Sequence, residues 1–575
     1  MPEARDEAAA DPSTGRKQQM FPQLSAAQLA RLEHLGRRRA VAKGEVVVEQ
    51  GAASPELFIV LSGALEVVQI GDGKELPITI HRVGEFTGEA NMLTGRRSIA
   101  RIRVVEPGEL LVIPHDALRK LVQSDAELSE IFMRAFILRR VALISHSMGE
   151  VVLLGSTHSA ATLRIREFLI GNGQPYVYVD VDKDPGVQAL LDRFALSPAD
   201  VPVVICRYQR VLKNPSNEEV ADCLGLNDAV DPAALRDMVV VGAGPAGLAA
   251  AVYGASEGLD VLVLESNIPG GQAGSSSKIE NYLGFPTGIS GQALAGRAYA
   301  QAQKFGAEVA IARPATKLQC DGQLHTLELA SGAVVKSRSV VIASGVQYRK
   351  LKLPNLGQFE GVGVYYGATQ MEAQLCEGEE IIIVGGGNSA GQAAVFLART
   401  CRHVHVMVRG PGLAQTMSRY LIQRIESSSN ITVRAFHEVT ALEGSDHLER
   451  VQIKDTRAAG EEPALPATGG ARRAEHGVQA FAVRHLFLMT GASPNTGWLE
   501  GCVARDEKGF IKTGPDLTRE DLAQWPLDRP PHLLETSVPG VFAVGDVRAG
   551  SVKRVASAVG EGSICVQLVH RVLAE

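Results

Sequence analysis

Two glycine-rich segments constrain the fold of this 575-residue chain more than any other feature. Each follows a short aliphatic run and precedes an Ala-rich stretch, first in MVVVGAGPAGLAAA and later in IIIVGGGNSAGQAA. A buried strand that enters a helix through such a turn brings backbone N–H groups close to the pyrophosphate of a dinucleotide. The sequence therefore predicts two parallel α/β domains, each with a nucleotide site at the start of a helix.

The residues that follow each turn indicate which nucleotide it would bind. After the first turn, the predicted strand VLVLE ends on Glu265, which can accept a hydrogen bond from a ribose hydroxyl. After the second, the strand HVHVMV is followed by Arg409 and by no acidic residue, which favours the 2′-phosphate of NADP. Arg419 is a candidate second contact. The alternative is that Arg409 is a solvated surface charge.

Two Rossmann-like sites about 140 residues apart suggest hydride transfer between a nicotinamide and a bound flavin. Three segments support the flavin half: PGGQAGSSSKIENYLGF (269–285), VVIASGVQ (340–347) and GVFAVGDVRAG (540–550). They resemble the isoalloxazine loop, the A-T-G strand and the G-D motif of the low-molecular-weight thioredoxin reductases. The resemblance covers about 340 residues, in the order flavin half, NADP domain, flavin half. It implies an NADPH-dependent FAD oxidoreductase that forms a homodimer.

The glycine turns and the segments of this resemblance together give the candidate cofactor contacts. For FAD they are Gly242, Gly244, Pro245, Ala246, Gly247, Glu265, Gly271, Gln272, Asn281, Ser344, Gly345, Gly545, Asp546, Arg554, Val555 and Ala556. For NADP they are Gly385, Gly387, Asn388, Ser389, Ala390, Arg409 and Arg419. The resemblance implies that Asp546 holds the ribityl chain of FAD and that the helix after it points its N-terminus at the flavin pyrimidine.

The redox-active C-A-T-C motif of that family has no counterpart here. The matching residues are Gly367, Ala368, Thr369 and Gln370. Thiol–disulfide exchange needs an attacking thiolate and a resolving partner, so no catalytic residue is assigned and no dithiol relay is expected. The seven cysteines lack C-x-x-C spacing, and each is predicted to be isolated. Cys206 and Cys223 are expected to pack in a core, and Cys376 at a helix end.

Three functions remain open on this sequence. The first, which we favour, is an NADPH-dependent FAD oxidoreductase that passes electrons directly to a non-disulfide acceptor: ferredoxin, a quinone, O₂ or another small molecule. The second is thioredoxin-disulfide reductase activity through Cys376 or through the thiols of a partner. The third is a non-catalytic sensor of redox and second-messenger state.

The N-terminal residues 21–147 show short alternating strands between two helical patterns, which predicts a β-barrel or jelly roll with flanking helices. Within them, FTGEANMLTGRRS resembles the phosphate-binding cassette of cyclic-nucleotide-binding domains, which implies cAMP or cGMP as an effector. The candidate contacts are Gly88, Glu89, Arg97 and Ser98. Glu89 would contact the ribose and Arg97 the cyclic phosphate. Because Arg96 directly precedes Arg97, the register could also be shifted by one residue. The alternative is a barrel that keeps the fold without the ligand.

Residues 148–226 show a strand–helix–strand, helix, strand–strand–helix pattern that resembles a thioredoxin or glutaredoxin fold. That family carries a C-x-x-C pair after its first strand, where the helix N-terminus lowers the pKa of a thiol. The matching residues here are Ser156, Thr157, His158 and Ser159. This thioredoxin-like α/β module is therefore expected to be a spacer or a docking surface.

Charge and composition exclude several function classes. A net charge of −6 argues against a nucleic-acid partner. The chain has only seven cysteines, an odd number, which favours the reducing cytoplasm over a secreted protein with disulfides. The apolar stretch 238–255 contains Pro245 and several glycines, which favours a strand–helix turn over a membrane span. No metal site is expected. The predicted organisation is a tail (1–20), the cyclic-nucleotide and thioredoxin-like modules, FAD segments 236–352 and 485–575, an NADP domain (353–484), and a surface loop at 455–477.

Overall fold

The computed structural model describes most of the chain in segments separated by gaps. The described residues are 19–50, 52, 56–71, 74–88, 98, 100–145, 151–156, 159–184, 187, 196–197, 200–206, 210–227, 231, 233–319, 324–415, 417–457, 472–473 and 477–575. Most of the predicted tail and most of the predicted 455–477 loop lie outside them. The chain divides into two compact units: residues 1–155, 168–229 and 303–306 form one, and residues 156–167, 230–302 and 307–575 the other.

The N-terminal domain is built on an antiparallel sheet, as its alternating pattern predicts. Its elements are α1 (Ala26–Leu32), β1 (Arg37–Val41), β2 (Val46–Val48), β3 (Glu56–Gly71), β4 (Lys74–His81), β5 (Phe86–Thr87), β6 (Arg101–Pro114), α2 (His115–Ser124) and α3 (Ala126–Ser145). The strand order is β1-β6-β3-β4, with β2 paired to β6 and β5 to β3. Side chains of β3 alternate between two cores, Leu57 and Ile59 towards the helices and Phe58 and Val60 away from them.

A small mixed sheet follows. Its elements are β7 (Val151–Gly155), α4 (Ala160–Gly171), β8 (Val177–Asp180), β9 (Val203–Cys206), β10 (Arg210–Lys213) and α5 (Asn217–Leu224). The strand order is β10-β9-β7-β8, with β7 and β8 parallel and the other pairs antiparallel. Cys206 and Cys223 form a disulfide, with Cα atoms 6.5 Å apart. The prediction of two separate core thiols is therefore wrong, because β9 and α5 bring them together.

The first flavin segment forms the larger part of a mixed sheet. Its elements are β11 (Leu235–Val241), α6 (Pro245–Ser256), β12 (Val261–Glu265), α7 (Gly271–Gly274), α8 (Gly291–Phe305), β13 (Glu308–Ile311), β14 (Ala315–Gln319), β15 (His325–Leu329) and β16 (Val334–Ile342). The order is β13-β12-β11-β16-β15-β14, and β11 is parallel to both β12 and β16. Strand β15 pairs antiparallel with both β14 and β16. Both faces of this sheet are buried, which explains the uninterrupted aliphatic run of β11.

The nucleotide domain that follows carries two sheets. Its elements are β17 (Val346–Tyr348), α9 (Leu356–Phe359), β18 (Val364–Tyr365), α10 (Gln370–Leu375), β19 (Glu380–Val384), α11 (Asn388–Leu397), β20 (His403–Val408), α12 (Arg419–Glu426), β21 (Ile431–Ala435), β22 (His437–Glu443), β23 (Arg450–Asp455), β24 (Arg472–Arg473), β25 (Val478–Phe481), β26 (His485–Leu488) and β27 (Ala492–Pro494). One sheet is parallel, in the order β18-β26-β19-β20-β21, and the other is antiparallel, in the order β22-β23-β25-β24.

The predicted boundary at residue 484 cuts this domain too early. Strand β26 lies between β18 and β19 in the parallel sheet, so the NADP domain extends beyond the predicted start of the second flavin segment. The antiparallel pair β17–β27 connects the two domains on both passages of the chain. The second flavin segment then adds β28 (Val541–Ala543), parallel to β16, and α13 (Val555–Ala574).

No helix among the described residues is both long enough and apolar enough to cross a membrane. Helix α6, which belongs to the apolar stretch 238–255, packs against the sheet. Its alanines and Leu248 are buried in the same core as Met238 and Val240 of β11. The apolar character of this stretch is therefore explained by burial in the flavin half.

Candidate functional site

The first glycine turn has the geometry that close approach to a ligand requires. Gly242 has φ of +106°, and a Cβ there would lie 2.4 Å from the carbonyl oxygen of Ala343. A Cβ on Gly247 would lie 1.9 Å from the carbonyl oxygen of Gly242. A Cβ on Gly244, in contrast, would meet nothing within 4 Å, because this residue faces open space at the N-terminus of α6. The turn therefore fits a pyrophosphate on the helix N-terminus.

Glu265 stands where the sequence places it, at the end of β12 beside the turn. It is buried, and burial raises the pKa of its carboxyl group. Its two oxygens accept hydrogen bonds from the backbone N–H groups of Ala243, at 2.7 Å, and Asn267, at 2.8 Å. Oε1 also accepts from the hydroxyl of Ser266 at 3.3 Å, so Glu265 holds the turn in shape.

The G-D segment reaches the same place from the end of the chain. Gly545 has φ of +73°, and its N–H donates to Glu561 of α13 at 2.7 Å. Arg548 donates to the other oxygen of Glu561 at 2.6 Å. Asp546 is mostly buried, which raises the pKa of its carboxyl group. The backbone carbonyl of Asp546 accepts a hydrogen bond from Lys553 at 2.9 Å, so the segment is fixed on both sides.

Three side chains make hydrogen bonds across the middle of the flavin half. Ser344 Oγ donates to the carbonyl of Asn495 at 2.8 Å, and Asn495 Nδ2 donates back to the carbonyl of Ser344 at 2.9 Å. Gln272 Nε2 donates to the carbonyl of Val346 at 2.6 Å. The sequence did not identify Asn495, because no local signal pairs two residues 151 positions apart.

The second glycine turn repeats the first between β19 and α11. Gly385 has φ of +145°, and a Cβ there would lie 2.4 Å from the carbonyl oxygen of Met489. Asn388 Oδ1 accepts from the N–H of Ser418 at 2.7 Å and so fixes the start of α12. Ser389 and Tyr348 both line the cleft, and Tyr348 lies in the connection from the flavin half. Burial raises the pKa of Tyr348. Tyr348 therefore links the two nucleotide sites.

Both turns line one cleft of about 1550 Å³, larger than the roughly 300–1,000 Å³ of an ordinary ligand pocket. The predicted residues that line it are Gly242, Gly244, Pro245, Ala246, Glu265, Gly271, Gln272, Asn281, Ser344, Gly345, Gly385, Gly387, Asn388, Ser389, Arg409, Gly545, Asp546, Arg554 and Val555. Gly247, Ala390, Arg419 and Ala556 do not line it. Tyr348 and Lys553 line it without having been predicted. The space and the glycine cradles fit FAD and a nicotinamide dinucleotide side by side.

In the segment that matches C-A-T-C, Gly367, Ala368 and Thr369 are not among the residues that line this cleft. The N–H and Oγ1 of Thr369 donate to Glu372, at 2.7 and 2.5 Å, and α10 begins at the next residue. Glu372 is buried, which raises the pKa of its carboxyl group. Cys376, beyond α10, is not isolated as predicted, because its Sγ lies 3.4 Å from that of Cys401.

The other predicted sites are described only in part. Gly88 has φ of +97°, and a Cβ there would lie 2.6 Å from the carbonyl oxygen of Glu56. The N–H of Ser98 donates to the carbonyl of Ala52 at 2.8 Å. Glu89 and Arg97 lie outside the described residues, as do Thr157 and His158 of the thioredoxin-like segment. No cluster of candidate metal ligands occurs in the part of the chain that the structure describes.

Known families match both halves of the chain. Residues 236–562, more than half of the sequence, match the model of the pyridine nucleotide-disulphide oxidoreductases. The chain belongs to this family. Residues 38–125 match the cyclic nucleotide-binding domain. This oxidoreductase is of thioredoxin reductase type and carries an N-terminal cyclic-nucleotide-binding domain, which confirms both predictions.

The oxidoreductase is 32% identical to thioredoxin reductase of Bacillus subtilis over 345 residues, 59% of this chain and 96% of that protein. It is 30% identical to thioredoxin reductase of Streptomyces clavuligerus over 59% of this chain and 94% of that protein. It is 32% identical to NADPH-dependent thioredoxin reductase 3 of Arabidopsis thaliana over 59% of this chain and 58% of that protein. The matched region thus spans nearly all of the two bacterial relatives and little more than half of the plant relative.

Solved structures agree with this assignment of the oxidoreductase. Lactococcus lactis thioredoxin reductase in its FR conformation matches with a TM-score of 0.50 and 27% identity, over 59% of this chain and 99% of that one. Thioredoxin reductase of T. acidophilum matches with a TM-score of 0.50 and 26% identity over the same shares. The 59% of the chain that each match covers is about the length of its reductase half.

Proposed function

We propose that this oxidoreductase takes electrons from NADPH through bound FAD and passes them directly to a non-disulfide acceptor. The wall of the cleft carries the proposal. Both glycine turns contribute to it, and no cysteine is among the described residues that form it. The segment Gly367–Gln370 holds no thiol either. An acceptor would therefore receive electrons at the cleft itself.

The residues of the cleft have separate tasks in this proposal. Gly244 and Gly387 would leave room for the two pyrophosphates, and Glu265 would orient the ribose of the flavin nucleotide. Tyr348 and Ser389, which both line the cleft, would hold the two sites in a fixed relation. When bound, FAD supplies the two-electron chemistry that no side chain of the cleft can provide.

Anaerobic mixing of the purified holoenzyme with NADPH tests the proposal. We expect the flavin absorbance near roughly 450 nm to bleach, and to recover when a quinone, O₂ or ferredoxin is added. Absorbance that stays oxidised with NADPH would contradict both enzymatic functions and favour a sensor. Rapid reduction of thioredoxin or of an aromatic disulfide would contradict the direct-acceptor proposal.

We also propose that a cyclic nucleotide binds the N-terminal domain and regulates the reductase through the helices at 116–147. Within that domain, Arg139 of α3 supports such coupling. It donates to the carbonyl of Phe86 at 3.1 Å, and its guanidinium lies over the Phe86 ring at 4.9 Å. Phe86 is two residues before Gly88, at the start of the predicted ligand cassette. A ligand there would act on α3 to the extent that it binds two arrangements of the helix unequally.

Calorimetry with cAMP and cGMP tests this second proposal. We expect one of them to bind the wild type and to bind Arg97→Ala much more weakly, because the variant lacks the guanidinium for the cyclic phosphate. Arg134→Ala, on the exposed side of α3, is the control and should bind as the wild type does. Absence of binding by the wild type would remove the regulatory proposal.

Two further assignments belong to this proposal. Residues 148–226 serve as a thioredoxin-like module that is a spacer or a docking surface; the strand order β10-β9-β7-β8 supports the fold, and the serines at 156 and 159 support the loss of the thiols. The oxidoreductase forms a homodimer, as its resemblance to thioredoxin reductases implies. Light scattering should give about twice the chain mass of 61.2 kDa, and a monomer at micromolar concentration would contradict the dimer.

A further inference from the structure

Two cysteines that the sequence separates by 25 positions meet in the NADP domain. Cys376 follows α10 and Cys401 precedes β20, and their Sγ atoms lie 3.4 Å apart. Their exposed fractions are 0% and 5%. Because an S–S bond measures about 2.05 Å, a closure of only about 1.3 Å would bring the two sulfurs to bonding distance.

The position of the pair separates it from the electron path of the cleft. Cys376 and Cys401 precede the strands β19 and β20, so they lie at the amino ends of the parallel sheet. The second glycine turn follows β19 and lies at the carboxyl ends, and neither cysteine lines the cleft. The pair is therefore not placed to receive electrons from a cofactor bound there.

We propose that Cys376 and Cys401 form a redox modification site, a disulfide made when the protein meets a peroxide. One thiolate attacks the peroxide oxygen and becomes a sulfenic acid, with hydroxide as leaving group. The second thiol then attacks that sulfur, the S–S bond forms and water leaves. In total, two thiols and one hydrogen peroxide give one disulfide and two waters, so the sulfurs lose the two electrons that the peroxide gains.

The surroundings of the two sulfurs indicate which cysteine attacks the peroxide and which one resolves the sulfenic acid. The contact between the two sulfurs lowers the pKa of Cys401, and the same contact, together with burial, raises the pKa of Cys376. Cys376 Sγ also lies 3.0 Å from the carbonyl oxygen of Glu372, to which the thiol can donate. Cys401 is thus the attacking sulfur and also the less buried of the two, and Cys376 is the resolving thiol.

The disulfide would join two separate elements of the domain. It would tie the end of α10 to the turn between α11 and β20, where the N–H of Gly378 already donates to the carbonyl of Thr400 at 2.9 Å. Closing a loop of this length restricts the unfolded chain. The oxidised domain should therefore unfold at a higher temperature than the reduced domain.

Peptide mapping of the full-length holoenzyme tests the site. The protein is reduced, freed of reductant, titrated with hydrogen peroxide, and then denatured and alkylated before digestion. We expect a linked peptide that contains Cys376 and Cys401, lighter by two hydrogens than the separate peptides and lost on treatment with dithiothreitol. Separate alkylation of both cysteines across the titration, or Cys401 found mainly as sulfinic acid, would overturn the proposal.

Two variants give the controls. Cys401→Ser should abolish the linked peptide and the difference in unfolding temperature between the oxidised and the reduced protein. Cys565→Ala, which removes a buried cysteine from the core of the flavin half, should keep both. Loss of the link in Cys565→Ala would also overturn the assignment, because it would show that Cys565 takes part. The mapping of the wild type decides the question even if a variant fails to fold.

Discussion

At the scale of single residues, buried carboxylates hold the loops of the flavin half in place. Glu265 accepts from Ala243 and Glu561 accepts from Gly545. Glu535, which is fully buried, accepts from the N–H of Gly540 at 2.9 Å and pairs with Arg529 at 2.7 Å. Hydrogen bonds to a charged acceptor are stronger than neutral ones. Each carboxylate therefore fixes a glycine-containing turn that the backbone alone would leave flexible.

Arg409 is the residue on which the choice of NADPH over NADH is expected to depend. Arg409→Ala should raise the KM for NADPH by about tenfold, because losing a hydrogen bond to a charged group costs roughly 1.5 kcal/mol. The KM for NADH and the kcat should not change. Steady-state kinetics with a quinone acceptor measures this. Arg402→Ala, at the opposite end of β20, is the control; an equal effect of both variants would contradict the assignment.

His325 should make the flavin half less stable in acid. Burial lowers its pKa to about 4, whereas an unfolded histidine titrates near roughly 6.5. Between these values the unfolded state binds the extra proton. The free energy of unfolding therefore decreases by up to about 1.4 kcal/mol for each unit by which the pH is lowered. The urea midpoint of flavin release should fall less between pH 7 and pH 5 in His325→Gln than in the wild type. Equal shifts would contradict this, and His34→Gln controls for the substitution.

At the scale of elements, the close approach of α6 and α13 shapes the flavin site. A Cβ on Gly562 of α13 would lie 2.1 Å from the carbonyl oxygen of Ala246, which lines the cleft at the start of α6. Gly562→Ala would force the helices apart and should weaken FAD binding by about 5- to 150-fold, since overpacking costs about 1–3 kcal/mol. FAD content after gel filtration measures it. Gly560→Ala meets nothing within 4 Å and should retain FAD.

Helix α3 should transmit the regulatory signal if a cyclic nucleotide binds. Arg139→Met removes the hydrogen bonds to Phe86 and Met20 and keeps much of the apolar stem. We expect the ligand still to bind and to lose its effect on NADPH turnover. Calorimetry and turnover of the same samples measure the two properties. Arg134→Met is the control, and a variant that stays fully responsive would show that coupling takes another route.

The elements also show what the sequence could predict. Both glycine turns were predictable, because strand, turn and helix are consecutive and each glycine has a local steric reason. The Ser344–Asn495, Cys376–Cys401 and Cys206–Cys223 pairs were not, because each depends on how distant elements pack. The boundary at residue 484 failed for the same reason: the run HLFL shows a buried strand but does not show which sheet contains it.

At the scale of the whole reductase half, an ion pair joins the two nucleotide domains. Both Nη atoms of Arg424, on α12, contact the carboxylate of Glu280, in the flavin loop. Arg424→Gln should slow the reduction of flavin by NADPH and make the rate less sensitive to salt, because the wild-type pair is partly exposed and therefore screened. Anaerobic stopped flow measures both. Arg450→Gln, whose partner Glu443 lies in the same sheet, should behave like the wild type.

The insertion of the NADP domain between two flavin segments has a consequence for synthesis on the ribosome. Until residues 541–574 emerge, strand β16 has an open edge on the side that β28 will occupy, and α6 lacks the cover of α13. The nascent flavin half is therefore incomplete and prone to self-association while the more than 190 residues between β16 and β28 are synthesised. A chain that stops before residue 541 should aggregate, and uptake of FAD would mark the emergence of β28 and α13.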